Sequence, residues 1–217
     1  MNKIILQTSF GKDSLSTYLK LVELHGKNSV IPVTFKSNVK MLWDPAYEQI
    51  INEFGNTTII DCGNTVYYEA LNEFMLENNI DASNCYLSTG EIDNIDEICN
   101  YYSVIRKYNY KGWINPYFGK PKETIFDILN QYECEFLFTR AVIPDESFRI
   151  KAEELIGTVI TTNDLKILYK NDPFLFYSMQ TIATKCTYFK DIDYSKINNY
   201  ILQFNENKNL TEYIVTM

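Results

Sequence analysis

Apolar residues along this chain switch between a strand-like and a helix-like period, and the switching predicts the architecture. Ile4 to Leu6 form a short apolar run, after which Leu15, Tyr18, Leu19 and Val22 recur at helical spacing up to Gly26. Val30 to Phe35 predict a second strand, interrupted at Pro32. Asp44-Pro45 then opens a helix with Ala46, Ile50, Ile51 and Phe54 on one face. Residues 57–62 predict a third strand, residues 66–78 a helix carrying Leu71, Phe74 and Met75, and Cys85 to Thr89 a fourth strand. A helix over about residues 94–108 follows. Strand and helix alternate as they do when parallel strands are joined by crossover helices. The expected fold is α/β, a doubly wound, mainly parallel sheet.

The later pattern is looser. An aromatic, proline-containing segment, Trp113 to Pro121, leads to a helix with Ile125, Ile128 and Leu129, then to an apolar strand ending at Arg140. Asn171 to Tyr177 opens a helix expected to run through Ala183. Beyond Lys185, a surface helix around Ile197, Ile201 and Leu202 leads into a terminal strand near residues 212–215. The expected organisation is an α/β domain over residues 1–168 and a small C-terminal extension, 169–217, packed on it and able to contribute to a site there.

Composition narrows the function classes. The chain has 217 residues and is 46% hydrophobic, enough for a substantial core. Lys plus Arg number 20 against 28 Asp plus Glu, a net charge of −8, so nucleic acid is not an expected partner. No stretch reaches the length of a membrane span, and Met1-Asn2-Lys3 enters a strand without a signal-peptide core. The 5 cysteines, Cys62, Cys85, Cys99, Cys134 and Cys186, form no C-x-x-C pair. A reduced, cytoplasmic protein without structural zinc is the expectation, with a homodimer allowed for.

The candidate chemistry lies between the first strand and the first helix, at Ser9-Phe10-Gly11-Lys12-Asp13-Ser14. A helix N-terminus there presents backbone N–H groups and a positive dipole end to an anion. Gly11 allows close approach of a phosphate, Ser9 and Ser14 offer hydroxyls, and Lys12 offers a mobile charge. Asp13 would be repelled by phosphate unless a cation lay between them, which suggests Mg²⁺. The ordinary P-loop is excluded, because Leu6 stands where that pattern needs glycine. On the same rim, beyond the fourth strand, Gly90 could admit a nucleotide against the backbone. Glu91 or Asp93 could hold the metal or position a reacting group.

Five of the six positions from Ser9 to Ser14 match the Ser-Gly-Gly-Lys-Asp-Ser loop of the PP-loop ATP pyrophosphatases, the adenine nucleotide alpha-hydrolase-like superfamily, and the segment resembles that loop. Phe10 replaces the second glycine, and a residue with a Cβ resists a positive φ. Gly90-Glu91-Ile92, followed by a helix and Asn115-Pro116-Tyr117-Phe118, resembles the order of motifs in diphthine–ammonia ligases and their prokaryotic relatives, over roughly residues 3–168. Glu91 stands where that family has aspartate. The family's Gly-Glu-Asn-Gly-Glu-Phe-like motif has no counterpart; Asn171-Asp172-Pro173-Phe174 stands in that region.

The resemblance implies an enzyme that uses ATP and Mg²⁺, forms AMP and pyrophosphate, and activates a carboxylate or amide oxygen for attack by ammonia or an amine. It implies phosphate binding by Ser9, Phe10, Gly11, Lys12, Asp13, Ser14 and Gly90. Lys12, Asp13 and Glu91 would be catalytic, and Asp13 would hold the metal. Sulfur transfer and non-catalytic nucleotide sensing are alternatives. The acceptor would be a small molecule or a group borne on a protein. Arg140, ending its strand, could bind pyrophosphate or a carboxylate bidentately, or pair with Asp145 or Glu146. His25, the only histidine, closes a helix and is read as a dipole partner. Tyr67-Tyr68 and Tyr101-Tyr102 are read as packing residues.

Overall fold

The computed structural model describes residues 2–37, 45–54, 57–90, 95–143 and 145–216. In chain order the first elements are β1 (Lys3–Gln7), α1 (Lys12–His25), β2 (Val30–Ser37), α2 (Pro45–Glu53), β3 (Thr58–Gly63), α3 (Tyr67–Glu77), β4 (Cys85–Thr89), α4 (Ile95–Tyr108) and β5 (Gly112–Trp113). Then come α5 (Thr124–Gln131), β6 (Glu135–Ile143), α6 (Arg149–Leu155), β7 (Val159–Thr161), α7 (Thr162–Asn171), α8 (Pro173–Ser178), β8 (Met179–Lys185), α9 (Tyr194–Asn207), α10 (Leu210–Tyr213) and β9 (Ile214–Thr216). The chain divides into two compact units. The first comprises residues 1–9, 13–43 and 56–125; the second comprises 10–12, 44–55 and 126–217.

The first unit is an α/β domain around a five-stranded parallel sheet of order β3-β2-β1-β4-β5. Ile5, Val33, Ile60, Cys62 and Leu87 project from one face onto Ala70, Leu71 and Met75 of α3, with Val104 and Ile105 of α4 beside them. The alternate residues Leu6, Ser88 and Gly90 face the other way. A Cβ placed on Gly90 would meet Ser14 of α1, which puts α1 on that opposite face. Helices on both faces make the sheet doubly wound, as the strand and helix rhythm predicts.

Pro32 does not interrupt β2. Thr8 N–H donates to Val33 O at 2.9 Å, so the Val33 backbone faces β1 and that of Pro32 faces the other neighbour. Pairing with β3 starts only at Val33 opposite Thr58, so no ladder bond is lost at the proline. The strand order runs outward from β1 through β2 to β3 and then resumes on β1's other side with β4. That reversal opens a crevice at the carboxyl ends of β1 and β4, where open α/β sheets bind ligands.

The second unit has its own sheet, with β6 between antiparallel β7 and β8 and paired in parallel with β9. Three expectations change here. The compact units do not coincide with residues 1–168 and 169–217: the second takes in residues 10–12 and 44–55 as well as 126–217, and among the described residues β6 pairs with β7, β8 and β9. The helix expected through Ala183 stops at Ser178. Thr181, Ile182 and Thr184 are β-branched, and Thr181 to Thr184 are all buried in β8. Arg140 lies within β6, which continues to Ile143, and so does not end a strand on the parallel sheet's rim.

Candidate phosphate-binding loop

In the first unit, the exit of β1 is held to β2 by the Thr8 amide and by Thr34 Oγ1, which donates to Thr8 O at 2.6 Å. Ser9 is exposed, and its N–H donates to Ser14 Oγ at 3.3 Å, closing the loop over the first turn of α1. The two hydroxyls lie 3.5 Å apart. Ser16 Oγ and Thr17 Oγ1 donate to Asp13 O at 2.7 and 3.0 Å, which stiffens the same turn. Asp13 is acidic in a first helical turn, a position the dipole favours without any ligand.

Gly90 brings β4 against that turn. Its Cβ would lie 2.7 Å from Ser14 N and 2.8 Å from Ser14 Cα, so only glycine fits. The expected close approach is therefore made by the helix backbone itself. Just before it, Ser88 and Thr89 are buried, and neither hydroxyl has a hydrogen-bond partner among the described residues.

Sequence reasoning missed Lys122. Its ammonium pairs with Asp13 Oδ1, and Lys122 is 8% exposed against 30% for Asp13. Asn115 directs the preceding segment: its Nδ2 donates to Thr89 O at 2.8 Å and its Oδ1 accepts from Tyr117 N. A turn follows, with Ile125 N–H donating to Lys122 O, and this delivers the lysine to the helix N-terminus. The Lys-Pro-Lys turn after the aromatic segment was the only available signal. The cation that Asp13 calls for is thus supplied, in this structure, by a side chain.

Phe10, Gly11 and Lys12 belong to the second unit. Phe10 adopts φ 50 despite its Cβ, and its ring is fully buried against Phe54 at 5.6 Å and Phe189 at 6.1 Å. Phe10 O accepts from Ala183 N at 2.7 Å, and Lys12 N donates to Thr181 Oγ1 at 3.1 Å, so residues 10–12 lie along β8. Lys12 was expected to be mobile. Instead it is 6% exposed, its Nζ donates to Met179 O at 3.2 Å, and it sits 4.7 Å from the Phe176 ring centroid.

No protein-family model matches the chain, and no curated protein does. A solved structure of a predicted tRNA methyltransferase subunit from Methanocaldococcus jannaschii is similar at 12% identity and a TM-score of 0.43. The match covers 85% of this chain and 97% of that one.

The remaining expected residues fall as follows. Arg140 Nη2 donates to Gln180 Oε1 at 2.7 Å inside the second unit. Glu91 and Asp93 lie outside the described residues. Among the described residues, no group of three or more His, Cys, Asp or Glu is placed to hold a metal, and no helix is long and apolar enough to cross a membrane. His25 ends α1 as expected. Tyr67 stacks on Phe35, Tyr68 and Tyr101 pack edge to face at 6.2 Å and Tyr101 stacks on Trp113, as packing residues do, whereas Tyr102 is exposed.

Proposed function

We propose that the first unit binds the phosphates of an adenine nucleotide at the N-terminus of α1 and that the protein is an AMP-forming ligase of the PP-loop type. The observation that supports this most directly is the buried Lys122 on Asp13, set where the strand order reverses. A carboxylate and an ammonium together at a helix N-terminus suit a ligand that arrives with both phosphate and metal.

In the reaction, a carboxylate or amide oxygen of the acceptor attacks the α-phosphorus, and the bond to the β-phosphate oxygen breaks. Pyrophosphate leaves. Ammonia or an amine then attacks the activated carbon, AMP departs, and the surplus proton passes to water. The N–H groups of the first turn and the serine hydroxyls orient the phosphates, and a lysine ammonium offsets charge building on pyrophosphate. Asp13 would hold a Mg²⁺ ion carried in with ATP, and that ion would supply charge neutralisation at the departing pyrophosphate.

A second reading, nucleotide binding without turnover, is favoured by the engagement of Lys12 within the second unit. One experiment separates them. ATP and Mg²⁺ are incubated with small carboxylates and ammonia, resolving AMP plus pyrophosphate from ADP plus phosphate. AMP with pyrophosphate supports the ligase. ADP with phosphate overturns it, and nucleotide binding without products supports the sensor.

A further inference from the structure

The lysine that belongs to the loop and the lysine that meets Asp13 are different residues. Lys12 has its amide on Thr181 Oγ1, its ammonium on Met179 O and its charge over the Phe176 ring. Each of those contacts ties it to β8 or α8. Lys122 comes from a segment fastened to the end of β4 by Asn115, and it places a buried ammonium on the first turn of α1.

A separate observation points to a ligand at the same turn. Among the described residues Ser88 Oγ has no hydrogen-bond partner, and Ser88 is 1% exposed. It projects from β4 on the side of Gly90, whose Cβ direction ends on Ser14 N. A buried hydroxyl left unpaired is costly and is usually explained by a group that completes it.

We infer that Lys122, and not Lys12, is the cation that contacts the phosphates, while Lys12 is a positioning residue that fastens the loop to β8. The inference rests on the nucleotide-binding reading above. It also assigns Asp13 a second task, holding Lys122 in place until MgATP arrives. With the carboxylate of Asp13 free to hold a metal brought in with the nucleotide, the Lys122 ammonium would be released to the phosphate oxygens.

The test is calorimetric titration of the full chain with inorganic pyrophosphate, and separately with MgATP, at several salt concentrations. Lys122→Met should weaken pyrophosphate binding at least tenfold and flatten its salt dependence, because one ionic contact is lost. Lys12→Met should leave the affinity of the folded fraction within threefold of wild type and its salt dependence unchanged, while lowering the melting temperature. Lys12→Arg should recover that melting temperature in part. If Lys122→Met folds poorly with Asp13 unpaired, the neutral double variant Asp13→Asn/Lys122→Met restores the fold and should still lack the affinity. A tenfold loss in Lys12→Met, with or without a loss in Lys122→Met, overturns the assignment. A wild-type protein that binds neither pyrophosphate nor MgATP overturns the nucleotide reading itself, and this inference with it.

Discussion

Phe10 stacks on Phe54 with ring centroids 5.6 Å apart and planes 19° from parallel, while its own backbone stands at φ 50. Holding a bulky residue in the left-handed region costs on the order of 1 kcal/mol, which burial of the ring more than offsets. Phe10 is thus an anchor held in a conformation that glycine adopts most readily. Phe10→Ala keeps the strained backbone and loses the ring, so it should destabilise by about 3–5 kcal/mol. Phe10→Gly loses the same ring but releases the strain, so it should be the more stable of the two by about 1 kcal/mol. Urea unfolding of the pair checks the order, and an Ala variant at least as stable as Gly would show that φ is not held positive.

Gly90 serves packing of the chain on itself. A methyl group there would press on Ser14 N at 2.7 Å and Ser14 Cα at 2.8 Å, both backbone atoms of a helix that cannot swing aside. Gly90→Ala should cost about 1–3 kcal/mol as overpacking and should loosen the first turn of α1. Hydrogen exchange at residues 13–17 alongside a thermal melt would show this. A melt within a degree of wild type would refute the contact.

These positions also show what the sequence could and could not reveal. The run from β1 into α1, the bounds of β4 and the glycine after it were legible because their signals are local: an apolar run, a helical period, a turn residue. β8 was not. Four consecutive buried residues, Thr181 to Thr184, erase the two-residue alternation that would have marked it as a strand, and no glycine or proline separates it from α8. β6 was legible as an apolar strand but was grouped with residues 1–168, because its partners, β7 and β8, come later in the chain and only pairing reveals an antiparallel sheet. Lys122 was hidden for the same reason: burial in a Lys-Pro-Lys turn depends on Asp13, far away in sequence.

The Asp13 and Lys122 pair makes a double-mutant prediction. Asp13→Asn or Lys122→Met alone leaves one charge partly desolvated, whereas the double variant removes both. The singles should each lose stability and the double should recover much of it, with a coupling of about 1–3 kcal/mol, reduced by the exposure of Asp13. Additive losses in denaturant titrations would mean that the two residues act separately.

Thiol reactivity should be confined to one residue. Cys62, Cys85, Cys134 and Cys186 are buried, and Cys99 is exposed on α4. Burial raises the thiols of Cys62 and Cys85, each with help from a neighbouring aspartate, Asp61 and Asp81. Cys134 and Cys186 are buried and interact electrostatically with each other. That interaction pushes Cys134 up and Cys186 down. An aromatic disulfide reagent at neutral pH should therefore titrate a single thiol quickly, and Cys99→Ser should abolish the fast phase. Two fast thiols in the native protein would place a second cysteine at the surface.

Acid should weaken the second unit through Asp172. Its carboxylate accepts from Lys151 Nζ at 3.0 Å and caps α8 by accepting from Leu175 N at 3.2 Å. The hydrogen bond from Lys151, and after it the Leu175 amide, holds the carboxyl below the usual carboxylate range. Between the lowered value and the ordinary one, the unfolded chain binds more protons than the folded chain, so stability falls as pH falls. The contribution is complete above the ordinary carboxylate value and is lost as pH drops through the lowered one. Lys151 is well exposed, so solvent screening keeps the contribution under about 1 kcal/mol. Asp172→Asn retains an N-cap oxygen and removes only the charge. Urea midpoints of wild type and Asp172→Asn should differ most near neutral pH and converge towards pH ~3. A difference that stays constant over that span would assign the stabilisation to the cap and leave the ion pair without effect.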